Sequence, residues 1–145
     1  MKRMLVLFAA LLTFATIASA AEPRAYTEGP VSVVTSVKVM DGQYENYLNY
    51  LSKSYKPLLE AQKEAEIIVG YAIYDTSARK ADEPDLYLVV TYPNMASFDG
   101  LEDKTEPLSS KILGMNRAQS AEASVGRGKM REIMGTEMIR ELRLK

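Results

Sequence analysis

The chain has 145 residues, of which 47% are hydrophobic and 26% charged, and its net charge is −1. These values exclude a wholly disordered or collagen-like chain, and the small negative charge argues against a nucleic-acid-binding surface. The sequence contains no Cys, His or Trp. Disulfides, thiol nucleophiles, His-dependent catalysis and zinc sites built on His or Cys are therefore excluded, and we predict neither a metal site nor a cofactor.

Residues 1–20 have the features of a secretory signal peptide. The chain begins with basic residues, positions 4–17 are apolar except for two Thr, and Ala18, Ser19 and Ala20 form a small-x-small cleavage site. The apolar run is shorter than the roughly 20 residues of a spanning helix. We therefore expect cleavage after Ala20, a periplasmic or secreted product and no stable membrane anchor; an uncleaved N-terminal anchor is the alternative.

The first part of the mature chain predicts a leader, a strand and a helix. Residues 21–30 contain two Pro and a Gly and are expected to form a flexible leader before a single domain at 31–145. From Val31 to Met40, valines recur at every second position, which is typical of a strand with one buried face. Apolar residues then recur at helical spacing and predict a helix ending near Glu66, with a kink or break at Pro57.

Two further strands are expected after this helix. The segment Ile67–Asp75 is apolar at both odd and even positions, which favours a central strand. The polar segment 76–85 predicts a loop, and Leu86–Tyr92 predicts the second strand. Because the two strands are close in sequence, we expect them to form an antiparallel pair.

The remainder predicts a segmented helical region and a last strand. Asn94 is a candidate N-cap for a short helix, and Thr105 is a candidate N-cap for a second helix with Pro107 in its first turn. A break at 126–128, one or two more helical turns at 129–134 and a closing strand Met138–Leu144 are expected to follow.

The predicted order β-α-β-β-α-β defines an α+β, ferredoxin-like fold. It implies a four-stranded antiparallel sheet with the helices on one face and a second helical region that is long or segmented. The other sheet face is too apolar in the two middle strands to remain a wide water-exposed patch. We therefore predict a homodimer in which two such faces bury each other.

The layout of residues 31–145 resembles that of dimeric α/β-barrel proteins. The segments on which this resemblance rests are VTSVKVMDGQYENYLNYL (34–51), IIVGYAIYD, DLYLVVTYPNMASFDGL and EMIRELRLK. Within that superfamily the chain is similar to the antibiotic-biosynthesis-monooxygenase type, and to small exported bacterial proteins of unassigned activity with a tail like Arg131–Leu142. The resemblance implies a dimer and a cavity between sheet and helices. Enzymes of the superfamily use Asn with Trp to activate oxygen or His to hold haem, and this chain has neither Trp nor His.

Aromatic and polar side chains on the predicted strands and first helix are the candidate ligand-binding residues. Tyrosines can line a pocket and orient a flat or phenolic molecule, or they can belong to the core and the dimer interface. Lys38 can act as a base if it is buried, or it can extend to water from a strand end. Asn94 lies at the end of the third strand. The candidates are Tyr47, Tyr71, Tyr74, Tyr87, Asn94 and Lys38.

Three hypotheses about function follow from these residues. The first is an exported protein that binds a small hydrophobic or aromatic molecule; the second is a cofactor-independent monooxygenase or isomerase acting on a small aromatic or quinol-like substrate. The third is a structural or interaction module. The Gly-flanked basic run Arg127, Lys129 and Arg131 either cradles an anion or pairs with nearby Glu residues. Catalytic residues remain unassigned.

Overall fold

The structure is a computed structural model that describes residues 23–77 and 80–145. The predicted signal peptide and its cleavage site after Ala20 lie outside the described residues. The strands are β1 (Tyr26–Val39), β2 (Gly70–Asp75), β3 (Leu86–Tyr92) and β4 (Arg131–Leu144). The helices are α1 (Tyr44–Tyr50), α2 (Lys56–Glu64), α3 (Leu101–Leu113) and α4 (Arg117–Gly126). Within the described residues, no helix is both long enough and apolar enough to cross a bilayer.

The four strands form one antiparallel sheet in the order β2-β3-β1-β4. This spatial order and the sequence order of strands and helices are those of the ferredoxin-like α+β fold, as the sequence predicts. The pattern of Ile67–Asp75 is, however, wrongly interpreted as a central strand. β2 begins at Gly70 and lies at the sheet edge, and Ile68 is buried before the strand begins, in a cluster with Leu59 and Val90.

β1 is longer than the valine pattern indicates. It begins at Tyr26, so residues 26–30 do not form a flexible leader but a strand segment that pairs with the end of β4. The β1–β4 register shifts between Glu28 and Val31, which lets the chain pass Gly29 and Pro30 without breaking the pairing. A Cβ at Gly29 would lie 2.9 Å from Glu141 Cβ, an atom fixed by the β4 backbone, so this close approach favours glycine.

The first helix continues past Pro57 instead of breaking there. Leu51–Tyr55 forms a π-helical turn between α1 and α2, and the N–H of Lys56 donates to the carbonyl of Leu51, five residues back. Proline has no N–H and clashes with the preceding turn, and the wider turn accommodates both defects. The turn also changes which side chains of the following residues share a face.

The second helical region is segmented, as predicted, but its boundaries differ. A 3-10 helix (Met95–Phe98) precedes α3, which begins before Thr105; the Thr105 hydroxyl donates to the Leu101 carbonyl within the helix and does not cap it. Gly114, with φ of +63°, ends α3 and turns the chain into α4. A second 3-10 helix covers Arg127–Lys129.

β4 begins at Arg131, so the one or two extra helical turns predicted at 129–134 are wrong beyond their first residues. Ser36 of β1 pairs with Gly135 of β4, whereas the next residue, Val37, pairs with Ile133. The residue between Ile133 and Gly135 is therefore unpaired, and β4 has a bulge there. β4 lies at the second sheet edge, and many of its large apolar side chains are exposed. They are Ile133, Met134, Met138, Ile139, Leu142 and Leu144.

The core lies between the sheet and the first helical region. One cluster joins Val37, Val39, Leu86 and Leu88 of the sheet to Tyr47 and Leu51 of the helix. A second cluster contains Leu59, Ile68 and Val90, and Tyr55 packs against both. Strand pairing places Val34, Tyr87 and Ile139 on the opposite sheet face. We call that face the open face, because the core helices do not pack against it.

Candidate functional site

The structure does not bring the six predicted site residues together. Tyr47 and Tyr71 lie on the helix side of the sheet but in different clusters, and Tyr74 and Tyr87 lie on the open face. Lys38 lies between the core residues Val37 and Val39 but on the opposite side of β1, where it bonds to Glu83 and Asp85 of the β2–β3 loop. Asn94 follows the end of β3 and bonds to Ser97. A single pocket lined by all six residues is therefore absent from the described part of the chain.

Tyr47 is a core residue. Only 2% of its surface is exposed, and its ring stacks on that of Tyr50 with a centroid distance of 6.0 Å. Burial raises the pKa of the Tyr47 hydroxyl, and the guanidinium of Arg131, followed by that of Arg127, partly offsets the rise. Tyr47 therefore supports the wall of the helical layer, and its neighbour Tyr50 is the ring that reaches a cavity.

Tyr71 fastens the edge strand to the helical layer. Its hydroxyl donates a 2.5 Å hydrogen bond to Glu60 Oε1 of α2. This hydrogen bond and, secondarily, burial raise the pKa of Tyr71 to about 12. Because the Tyr71 hydroxyl already donates to the Glu60 carboxylate, we assign Tyr71 to positioning β2 against α2 and not to ligand binding.

Tyr74 and Tyr87 face each other across the β2–β3 pair on the open face. Tyr74 is 56% exposed, whereas Tyr87 is half-buried. Cross-strand aromatic pairs stabilise a sheet, and exposed ones are typical of protein interfaces. The pair therefore belongs to the surface predicted to face a second subunit.

Lys38 holds the end of the β2–β3 loop against β1. Its Nζ donates to Asp85 Oδ1 at 2.9 Å and to the Glu83 carbonyl at 3.1 Å, and Asp85 Oδ2 also accepts from the Val39 N–H. Partial burial would raise the pKa of Asp85, but the Lys38 ammonium and the Val39 N–H outweigh it and hold that pKa below its usual value. Lys38 is thus half-buried and paired.

Asp85→Asn is expected to lower the free energy of unfolding at pH 7 by about 1–2 kcal/mol, because it removes a charge-assisted pair that is partly screened by water. Since the pKa of Asp85 is lowered by folding, its contribution is complete above the unfolded value of about 3.9 and disappears as pH falls through the folded value. Urea unfolding at pH 7 and pH 3 measures this. Asp82→Asn, in the same loop and exposed, is the matched control; an equal loss in both variants at pH 7 would contradict the assignment.

Asn94 caps the short helix that follows β3. It is exposed, precedes the 3-10 helix Met95–Phe98, and its N–H donates to the Ser97 hydroxyl at 3.4 Å. The predicted N-cap is confirmed. Its ligand-binding role finds no support in this geometry, because none of the described cavities has Asn94 in its lining.

The largest described cavity is a cleft between the first and second helical regions, of about 560 Å³. Its volume lies within the range of about 300–1,000 Å³ of small-molecule sites. The first helical region supplies one wall through the π-helical turn and α2, and α3, α4 and the second 3-10 helix supply the other. The lining residues are Tyr50, Ser54, Tyr55, Leu58, Ser109, Leu113, Met115, Ser120, Ala123, Gly126, Arg127 and Met130.

The Arg127 end of this cleft is aromatic and carries a cation. The guanidinium carbon of Arg127 lies 4.9 Å from the centroid of the Tyr50 ring, in a cation–π arrangement. Burial, together with the neighbouring tyrosines, raises the pKa of Tyr55 to about 12, so its hydroxyl stays protonated at neutral pH. This end of the cleft therefore offers an apolar, aromatic wall beside a positive charge.

The cleft adjoins a smaller recess of about 190 Å³ between α3 and α4. Ser109, Met115 and Ser120 line both spaces. Glu102, Glu106 and Arg117 line the recess, and Arg117 pairs with Glu102 at 3.0 Å. The recess therefore carries an excess of one acidic side chain, whereas the charged residue of the cleft lining is Arg127.

The sequence could identify parts of the cleft but not the whole. The two glycines beside Arg127 mark it in the sequence as a candidate anion-binding residue. The alternative, that Arg127 pairs with a Glu, is not observed, because no ion pair of the described residues includes Arg127. Tyr50 and Ser54 gave no signal, because Tyr50 lies off the apolar stripe of a regular helix. In the described residues, no cluster of three or more acidic residues has the geometry to hold a metal ion.

Comparison with solved structures places the chain among α+β proteins of the same fold. HapK from Hahella chejuensis has a TM-score of 0.51 at 10% identity, covering 77% of this chain and 91% of its own. SO0527 from Shewanella oneidensis has a TM-score of 0.51 at 14% identity, covering 81% and 96%. A dimeric ferredoxin-like protein from an uncultured marine organism has a TM-score of 0.49 at 9% identity, covering 82% and 90%.

At such identities the first two structures define the fold of this chain and nothing finer. The chain is therefore a ferredoxin-like α+β protein whose largest described cavity lies between its helices. No protein-family model matches the sequence, and no curated protein is significantly similar to it.

Proposed function

We propose that this protein binds a small, largely apolar or aromatic molecule in the cleft between its two helical regions. The supporting observation is an unfilled space of about 560 Å³ whose walls are mainly aromatic and aliphatic, with a few convergent polar groups. A purely structural module would be expected to fill this space with its own side chains.

A cofactor-independent monooxygenase or isomerase, as in the antibiotic-biosynthesis-monooxygenase type, is the alternative function. It would need an activating polar group inside the cleft. Asn94 is exposed outside it, and Lys38 is paired with Asp85. None of the six candidate residues predicted from the sequence lines the cleft, whose tyrosines are Tyr50 and Tyr55. The alternative therefore has less support than binding.

Binding can be tested with the fluorescent probe N-phenyl-1-naphthylamine, which is apolar and uncharged. The wild-type protein is expected to bind it, and Ala123→Trp is expected to weaken binding at least about tenfold because the indole occupies the cleft. Ala118→Trp places the same side chain at an exposed site on the same helix and is the control. No binding by wild type, or equal weakening by both variants, would contradict the proposal.

We also propose that the protein is a homodimer formed through the open face and β4. β4 is a 14-residue edge strand with several exposed large apolar side chains, and a long exposed apolar edge strand is a site at which another chain associates. The open face adds Ile139 of β4 and, from the β2–β3 pair, the half-buried Tyr87 and exposed Tyr74. A second copy of the chain supplies a matching apolar face.

Export with removal of residues 1–20 is the third part of the proposal. It is supported by the basic start, the short apolar run and the Ala18-Ser19-Ala20 sequence. The exported protein from its own host is expected to begin at Ala21, which N-terminal sequencing measures. A start at Met1 would contradict cleavage.

A further inference from the structure

We propose that the molecule bound in the cleft is an apolar or aromatic carboxylate, held with its carboxylate at Arg127. This deepens the binding proposal made above and rests on it. Arg127 is the one charged side chain among the cleft-lining residues that the structure describes. A lone cation in a mainly apolar cavity selects for a ligand that brings the opposite charge, because the attraction between opposite charges is stronger at low dielectric than in water and an unpaired charge there is costly.

The orientation of Arg127 supports this assignment. The Tyr50 ring holds the guanidinium through its face, at 4.9 Å from the ring centroid, and no ion pair in the described residues includes Arg127. Stacking on an aromatic ring leaves the edge N–H groups of a guanidinium available. Those N–H groups form a planar fork that matches a carboxylate.

The charges around the cleft favour the Arg127 side for a carboxylate. Glu102, Glu106 and Arg117 line the adjoining recess, and Arg117 pairs with Glu102. Glu106 forms no ion pair among the described residues. A carboxylate is therefore attracted to Arg127 and repelled by Glu106.

The test compares two probes of the same shape, 2-naphthoate and the uncharged 2-naphthamide, as competitors of N-phenyl-1-naphthylamine at pH 7. For the wild-type protein, 2-naphthoate is expected to bind at least about tenfold more tightly than 2-naphthamide, as for a charge-assisted hydrogen-bonded pair. Equal affinities of the two competitors would overturn the carboxylate assignment while leaving apolar binding intact.

A variant then assigns the preference to Arg127. Arg127→Gln is expected to lower the affinity for 2-naphthoate at least about tenfold more than the affinity for 2-naphthamide, and continued binding of N-phenyl-1-naphthylamine shows that the cleft is still folded. Lys129→Gln removes an exposed positive charge two residues away and is expected to keep the advantage of 2-naphthoate. Loss of the advantage in Lys129→Gln as well, or its persistence in Arg127→Gln, would overturn the role of Arg127.

The two proposals fail in different ways. If the uncharged reporter does not bind the wild-type protein, both the binding function and the carboxylate assignment are wrong. If the reporter binds and Ala123→Trp blocks it, but the two naphthalene competitors are equivalent, only the carboxylate assignment is wrong.

Discussion

Ile139→Lys is expected to convert the homodimer into a monomer at micromolar concentration. Ile139 is 50% exposed in one subunit and lies on the open face of β4, so the substitution is tolerated by the subunit fold. In a dimer the same position is buried, and an unpaired buried charge costs about 3 kcal/mol or more. The dissociation constant should therefore rise at least about a hundredfold. Light scattering of the wild-type protein and of Ile139→Lys over a range of concentrations measures the mass and hence the dissociation constant.

The matched control for this prediction is Ile112→Lys. Ile112 is an exposed residue of α3, away from the sheet, and the same change of side chain there should leave the dimer intact. A wild-type protein that is monomeric at micromolar concentration would refute the dimer proposal. Dissociation by Ile112→Lys but not by Ile139→Lys would place the interface on the helical layer.

Tyr47→Ala is expected to lower the free energy of unfolding by about 3–5 kcal/mol, because it empties a large volume in the main core cluster. The ring packs with Leu51 of the helix and with Val37 and Leu86 of the sheet, and all four residues are almost fully buried. Urea unfolding gives the value directly.

Tyr47→Phe separates the ring from its hydroxyl. It keeps the packing and should cost only about 1 kcal/mol, because the loss is confined to the hydroxyl and its interaction with the Arg131 guanidinium. If Tyr47→Ala lowers the free energy of unfolding no more than Tyr47→Phe does, Tyr47 is not a core residue, and this result would favour the ligand contact predicted from the sequence.

The order of elements could be predicted because local patterns specify it. Valines at alternate positions of β1 and the helical spacing from Tyr44 to Leu59 each indicate one kind of structure. The place of β2 in the sheet could not be read from its composition. Ile67 and Ile68 made the segment look like a buried strand, but Ile68 is buried as a loop residue packed on Leu59.

β4 shows why Gly135 misled the prediction of strand boundaries. A glycine after a helical-looking segment usually ends a helix, but here it lies beside a bulge opposite Ser36 and Val37. The bulge depends on pairing with β1, which is about 100 residues away in sequence. No local signal identifies such long-range pairing.

The cleft could not be predicted from the sequence for a similar reason. A π-helical turn inserts an extra residue into the helical repeat, so the side chains after Tyr50 rotate relative to the pattern of a regular helix. Pro57 indicated a disturbance, but not that Ser54 and Tyr55 would face α4. The six tyrosine, lysine and asparagine candidates share a side-chain chemistry suited to binding, but their positions in the fold separate them.

The most direct measurement of the central claim is NMR mapping of the amide shifts that N-phenyl-1-naphthylamine perturbs. The protein has two apolar surfaces that could take an uncharged probe, the cleft and the open face. We predict perturbations centred on Ser54, Ala123 and Arg127, on both walls of the cleft. Perturbations confined to the open face, around Val34 and Tyr87, would contradict the assignment of the cleft as the binding site.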